Sequence, residues 1–225
     1  MGWIGTASDT PNICIVRNDA SYQRVEDMIG AKEPLIIGAT VAYTREYYPK
    51  FLNKFLGTNL KIIKGYKSGG AIYVAIESRE INGVCGISYA TLQANHSDWL
   101  KDKFVSIFIQ INPIEKIPEL PNVPWIMDYE KNPSDRQVVE AGMGSQAIVR
   151  SFVTPPGVPK DRIEILRKVF TATMKERESL KDAARSNSNI KPRTATQLEA
   201  IIKRWFSLPK ESVDKIRNIY LPAGF

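Results

Sequence analysis

An α/β fold with a mainly parallel sheet is predicted by two features of the sequence. Short apolar runs alternate along the chain with stretches that carry apolar residues at helical spacing. Several runs, LIIGAT above all, are continuously apolar, as strands buried on both faces of a sheet are. With 225 residues, 43% of them hydrophobic and 24% charged, the chain has the length and composition of one large or two small ordered domains.

The elements follow in order. ICIVR at 13–17 predicts a strand, and Tyr22 to Ile29 a short helix that Gly30 ends. LIIGAT at 35–40 is a strand. Pro49 is read as opening a helix with Phe51, Leu52, Phe55 and Leu56 on one stripe and Gly57 as its stop. LKIIKGY at 60–66 is a strand, and 71–79 a helix that turns Ile72, Ala75 and Ile76 inward. Residues 81–87 and 105–110 complete the set of short apolar strands. Residues 112–135 hold prolines at 113, 118, 121, 124 and 133 and predict a long irregular connection. Residues 146–154 read as a strand. Beyond PPGVP the chain is helical: Ile163, Leu166, Phe170 and Met174 form one stripe, and Thr194 with Gln197 form a capping box ahead of Leu198, Ile201, Ile202 and Trp205. A last helix is expected to use Val213, Ile216 and Tyr220.

Composition narrows the chemistry. The net charge of +7 suggests nucleic acid until it is mapped: residues 1–159 carry 16 basic and 16 acidic side chains, and residues 160–225 carry 15 and 8. The excess alternates with apolar positions at helical spacing, which reads as solvated helix faces, so no nucleic-acid partner is expected. The only histidine, His96, reads as a solvated loop or helix-end residue, and no histidine-based metal cluster can be built. Cys14 and Cys85 fit no zinc or redox spacing and are read as buried small apolar residues rather than a disulfide. There is no G-x-S-x-G turn, no G-x-G-x-x-G and no P-loop. No catalytic residue, metal or cofactor is therefore assigned, and the chain is read as a non-enzyme. No run approaches the roughly 18 apolar residues of a membrane span, and MGWIGTASDTPN has neither the basic nor the apolar region of a signal peptide.

A ligand is expected where parallel strands end and helices begin, because backbone N–H groups and the positive end of a helix dipole meet there. Three loops qualify. Thr40 to Arg45 offers the hydroxyls of Thr40, Tyr43 and Thr44 and the guanidinium of Arg45; Lys67 to Gly70 offers Ser68, Gly69 and Gly70; Gly86 to Tyr89 offers Ser88 and Tyr89. The residues alone leave a second reading of Gly69-Gly70 open, as nothing more than a tight strand-to-helix turn.

The order of motifs then becomes specific. GYKSGGAIYVAIESREINGVCG resembles the Y-K-G-G-x-x-x-x-x-A-x-x-x-G-E-V-D-G segment of tripartite tricarboxylate transporter receptors, the Bug family of periplasmic binding proteins. Trp3-Ile4-Gly5, the segment from Cys14 to Met28, Pro121 to Pro124, and FVTPPGVPKDRIEIL at 152–166 resemble further elements of that family, so the likeness spans almost the whole chain. It implies a type II periplasmic-binding-protein fold, with two α/β lobes closing on a small carboxylic acid in an interlobe cleft, membrane permease subunits as partners, a periplasmic location and no catalysis. Were the chain complete as given, the missing leader would instead imply the cytoplasm.

Three departures qualify the resemblance. The chain begins about a third of the way along the family pattern, which implies one complete lobe at 33–145 and an incomplete, N-terminally truncated first lobe built from 1–32 and 146–225. The family's T-G-x-G-S loop is here Thr40-Val41-Ala42-Tyr43-Thr44, and its G-E-V-D-G is Arg79-Glu80-Ile81-Asn82-Gly83. An incomplete lobe exposes a sheet edge and an apolar face, so a homo-oligomer is expected. The alternative is a structural or interaction module that keeps the fold and self-associates without a small ligand.

Overall fold

The computed structural model describes residues 1–8, 10–41, 44–185 and 190–221. The chain runs through β1 (Gly2–Thr6), β2 (Asn12–Arg17), α1 (Val25–Met28), β3 (Leu35–Ala39), α2 (Thr44–Phe51), β4 (Leu60–Lys64), α3 (Gly69–Glu77) and β5 (Gly83–Ser88). It continues through α4 (Tyr89–Asn95), α5 (Ser97–Lys101), β6 (Val105–Ile111), α6 (Ile126–Tyr129), α7 (Pro133–Met143) and β7 (Ser151–Thr154). Helices α8 (Lys160–Thr173) and α9 (Arg177–Arg185), strand β8 (Arg193–Thr194), and helices α10 (Ala195–Phe206) and α11 (Lys210–Tyr220) follow. Two units form: Met1–Thr10 with Ser145–Leu208, and Pro11–Gly144 with Pro209–Phe225.

The second unit holds a five-stranded sheet in the order β4-β3-β5-β2-β6. Strand β3 pairs parallel with β4 and β5, while β2 pairs antiparallel with both β5 and β6. The mainly parallel sheet is thus right for the four strands joined by helical crossovers, and β2 alone runs against them. Every residue of β2 is buried. Ile13 and Ile15 pack on one face with Ile72, Ile76, Ile87 and Trp99, and Cys14 and Val16 on the other with Tyr48, Phe51 and Phe108. Two-sided burial of this kind is what a continuously apolar run encodes, at about 1.5–3 kcal/mol for each large side chain.

Insertion of β2 beside β5 also overturns the reading of the cysteines. Cys14 and Cys85 are register partners, with Cα atoms 4.0 Å apart, and they form a disulfide. A sequence separation of 71 hid the pair; only the pairing of β2 with β5 brings the two together.

Helix α2 starts at Thr44, five residues before the proline expected to open it. Pro49 sits in its second turn, where it lacks the amide that would bond back to Arg45, and beyond Phe51 the backbone continues as a wider π-turn over Leu52–Leu56. Gly57, at φ 72°, stops it as expected. Tyr48 and Phe51 are fully buried. Tyr48 Oη donates to the Met143 carbonyl at 3.2 Å, and the Phe51 ring lies where a Cβ on Gly142 would be, 2.3 Å away.

Residues 11–32 and 209–220, assigned from sequence to the first lobe, lie in this unit. Strand β2 is a central strand of its sheet. Helix α11 packs on α7 and α2 through the Tyr47–Tyr220 rings at 4.2 Å, the Lys215–Asp135 ion pair at 3.1 Å, and a hydrogen bond from Tyr220 Oη to the Gly142 carbonyl. Ile216 and Tyr220 face inward, but Val213 is exposed, because the packed stripe runs through Ile216, Ile219 and Tyr220.

Glu130, between α6 and α7, is buried, and its Oε1 meets no hydrogen-bonding partner among the described residues. Burial pushes its carboxyl up to about 7, with the Asp135 charge adding to the rise and Arg136 opposing it. The folded chain therefore holds a proton here that the unfolded chain releases above pH 4.5. The associated stability is fully present below pH 4.5 and is lost as pH rises to about 7. Glu130→Gln removes that loss. Urea unfolding at pH 8 is expected to show the variant about 2 kcal/mol more stable than the parent, with the gap closing at pH 4.5; a pH-independent gap would contradict the assignment.

The first unit holds a three-stranded sheet in the order β7-β1-β8, antiparallel throughout. Helix α8 packs on β1 where glycines leave room: a Cβ on Gly5 would lie 2.3 Å from the Phe170 ring, and one on Gly2 would lie 2.7 Å from Ile163. The capping box of Thr194 and Gln197 forms at the start of α10 as read from sequence, and Leu198 and Ile201 behind it are buried. Strand β7 starts at Ser151 rather than 146, because Gly144–Ala147 make a 3₁₀ turn and Arg150 adopts φ 63°. Leu166, read from sequence as part of the stripe with Ile163 and Phe170, is exposed, as are Ile165 and Val169 of the same helix. No helix of the described residues is long and apolar enough to cross a membrane.

Candidate ligand site

The second unit brings the start of α2, the Ser68–Gly70 turn and the end of β5 together. Ser68 caps α3: its Oγ accepts from the Ala71 amide at 3.2 Å and its carbonyl from the Ile72 amide at 3.4 Å. A helix start leaves its first N–H groups without intrahelical partners, and at α3 those belong to Gly69 and Gly70. The Arg45 guanidinium lies against this turn. A Cβ on Gly69 would sit 2.8 Å from Arg45 Nη2 and 3.2 Å from its Cζ. A side chain at Gly69 would therefore have to push the Arg45 guanidinium aside, whereas a Cβ on Gly70 would make only an ordinary contact, 3.7 Å from Ser68 Oγ.

Gly86 supports the other side of α2. It adopts φ 78°, and a Cβ there would lie 3.2 Å from the Arg45 amide nitrogen and from Thr44 Oγ1. The first turn of α2 is thus seated between two glycines, one from the start of α3 and one from β5.

Arg45 Nη2 donates to Tyr73 Oη at 3.2 Å, with Cζ 6.0 Å from the Tyr73 ring centre. Arg45 Nε is buried and finds no acceptor among the described residues. The guanidinium and the positive end of the α3 dipole both favour an anion at this place.

The remaining candidates stand differently. Thr40 follows directly after β3 and is half-buried. Tyr43 lies outside the described residues. Ser88 uses its hydroxyl to cap α4, accepting from the Thr91 amide at 3.1 Å and sharing a hydrogen bond with Thr91 Oγ1. Tyr89 is half-buried and its amide donates to the Pro11 carbonyl at 3.0 Å; burial raises its phenol pKa, and the Glu119 charge adds to the rise. Among the described residues no group of His, Cys, Asp and Glu is placed to hold a metal ion.

Tyr73 is the residue that sequence reading missed. Its signal was present in the spacing, four residues after Gly69 and so above it on the same helix face. His96, read as a solvated helix-end residue, does join α4 to α5 but is packed, with its ring 4.2 Å from Trp99 and 4.6 Å from Tyr73.

No family model and no curated protein sequence matches the chain. Solved structures do. A TctC solute binding protein from Polaromonas superposes with a TM-score of 0.67 at 15% identity, over 95% of this chain and 69% of that one. An R. palustris protein with adipate, Rpa4515, gives 0.60 at 12% identity over 97% and 68%. The periplasmic binding protein BugD gives 0.58 at 15% identity over 96% and 68%. The motif resemblance is met in three dimensions: the chain has the α/β fold of the TctC- and Bug-type solute-binding proteins.

Proposed function

We propose that this chain binds a small carboxylic acid without chemical turnover, as the solute-binding component of a tripartite tricarboxylate-type transporter with membrane permease subunits as partners. The ligand meets the second unit at Thr40, Thr44, Arg45, Ser68, Gly69 and Gly70, with Ser88 and Tyr89 on the same side. One observation carries the reading: the Arg45 guanidinium lies against the N-terminus of α3, so a fixed positive charge stands beside the first free N–H groups of a helix. The fold shared with an adipate-bound protein supports it. A periplasmic setting is supported by the Cys14–Cys85 disulfide, since such bonds persist in oxidising compartments.

The test is a thermal-unfolding screen against C4 to C6 dicarboxylates and aromatic monocarboxylates. A matching acid at one hundred times its Kd is expected to add about 2.7 kcal/mol, which raises the midpoint by roughly 5–10 °C for a chain of this length. If no acid moves the midpoint, the receptor reading falls. The alternative is then favoured, a self-associating module without a small ligand. The exposed Ile165, Leu166 and Val169 of α8 support that second reading, because a cluster of exposed apolar side chains is ordinarily covered.

A further inference from the structure

We infer that Tyr73 is the positioning residue that presents the Arg45 guanidinium to the ligand carboxylate, so that recognition depends on a direct charge-assisted contact. This rests on the carboxylate-binding reading above. An arginine side chain is flexible, and holding it ready for a ligand requires that its rotamers be restricted before the ligand arrives. Three contacts restrict it here. Tyr73 Oη accepts from Nη2 at 3.2 Å, the absent side chain of Gly69 lets the guanidinium lie against the start of α3, and Gly86 seats the backbone from which Arg45 springs. Tyr73 is itself wedged, its ring edge-on to buried Trp99 at 5.9 Å and to His96 at 4.6 Å.

Tyr73 engages one corner of the guanidinium at Nη2; Nε is buried and meets no acceptor among the described residues, so the remaining Nη donors are the ones left to a ligand. A planar group with two acceptor oxygens matches the donors that remain, and a carboxylate is such a group. An uncharged amide or ester of the same acid lacks the charge and one of the two equivalent acceptors, and it is expected to bind far more weakly. Tyr73 touches no ligand in this scheme; it acts through Arg45.

A double-mutant cycle read by calorimetry with adipate, and with any acid from the panel that binds more tightly, separates this from a merely structural role. Tyr73→Phe is expected to weaken binding about tenfold and Arg45→Gln about a hundredfold or more. The double variant should match Arg45→Gln alone, because the tyrosine hydroxyl has nothing to hold once the guanidinium is gone. Gly69→Ala provides an independent route, displacing the guanidinium with a Cβ that would stand 2.8 Å from Nη2, and should reproduce the Tyr73→Phe loss while the unfolding midpoint is kept. If the parent binds acids but Tyr73→Phe binds them equally well, or the two losses simply add, the positioning role is overturned and the receptor reading stands. If the parent binds no acid, both fall together.

Discussion

Reducing the Cys14–Cys85 bond lowers the free energy of unfolding by about 4 kcal/mol, as chain-entropy loss across a loop of some seventy residues predicts. Folding brings β2 and β5 side by side whether or not the bond is present, so the effect comes mostly from the greater freedom of the reduced unfolded chain. The expected signature in urea is a lower midpoint with a native state unchanged by far-ultraviolet dichroism. Both cysteines are fully buried. The matched control is therefore Cys14→Ala with Cys85→Ala, since serine would add two buried hydroxyls to satisfy. The double variant should unfold near the reduced parent and ignore added reductant. Two titratable thiols in the native, unreduced protein, or a midpoint indifferent to reductant, would remove the bond and with it the argument for an oxidising compartment.

Much of the fold was legible because its signal is local. ICIV and LIIGA are apolar without alternation, and each is a strand covered on both faces. The stop at Gly57 was readable because that residue needs positive φ; α1, read to Gly30, instead ends at Met28, where Ile29 turns extended. The capping box at Thr194 was readable because its two partners are three residues apart. What escaped was set by distant parts of the chain. Nothing within β2 says that it runs antiparallel between β5 and β6, and the cysteine pairing follows from that insertion alone. The start of α2 escaped for a local reason: Pro49 is tolerated inside the helix, where a π-turn follows.

The candidate site divides in the same way. Its loops were legible, since strand ends and helix starts are sequence features. The roles within them were not. Gly69, read as an opening for a ligand, also leaves room for the Arg45 guanidinium, and Tyr73 enters through its contact with that side chain. Asn82, which replaces an acid of the family pattern, keeps the turn by accepting from the Ile36 amide at 2.8 Å through its Oδ1.

Gly83→Ala is expected to destabilise the second unit by about 3–4 kcal/mol, combining the cost of overpacking with that of loosened strand hydrogen bonds. Gly83 opens β5 and is paired on both sides, opposite Val16 of β2 and Ile37 of β3. A Cβ there would stand 2.1 Å from the Ile15 carbonyl oxygen and 3.0 Å from the Val16 Cα. These are backbone atoms of a central strand, so no side chain can swing aside, and relief comes only by parting β5 from β2. Parting them strains the Cys14–Cys85 crosslink two residues along β5, so the bond cannot absorb the change. The midpoint of thermal unfolding should fall by roughly 10 °C. Gly70→Ala, thirteen residues earlier in the same stretch, is the contrasting control: its Cβ meets nothing closer than 3.7 Å and lies in a helix, where alanine is favoured over glycine by up to about 1 kcal/mol. If Gly83→Ala and Gly70→Ala unfold alike, β2 does not approach β5 this closely, and the pairing that joins Cys14 to Cys85 would have to be redrawn.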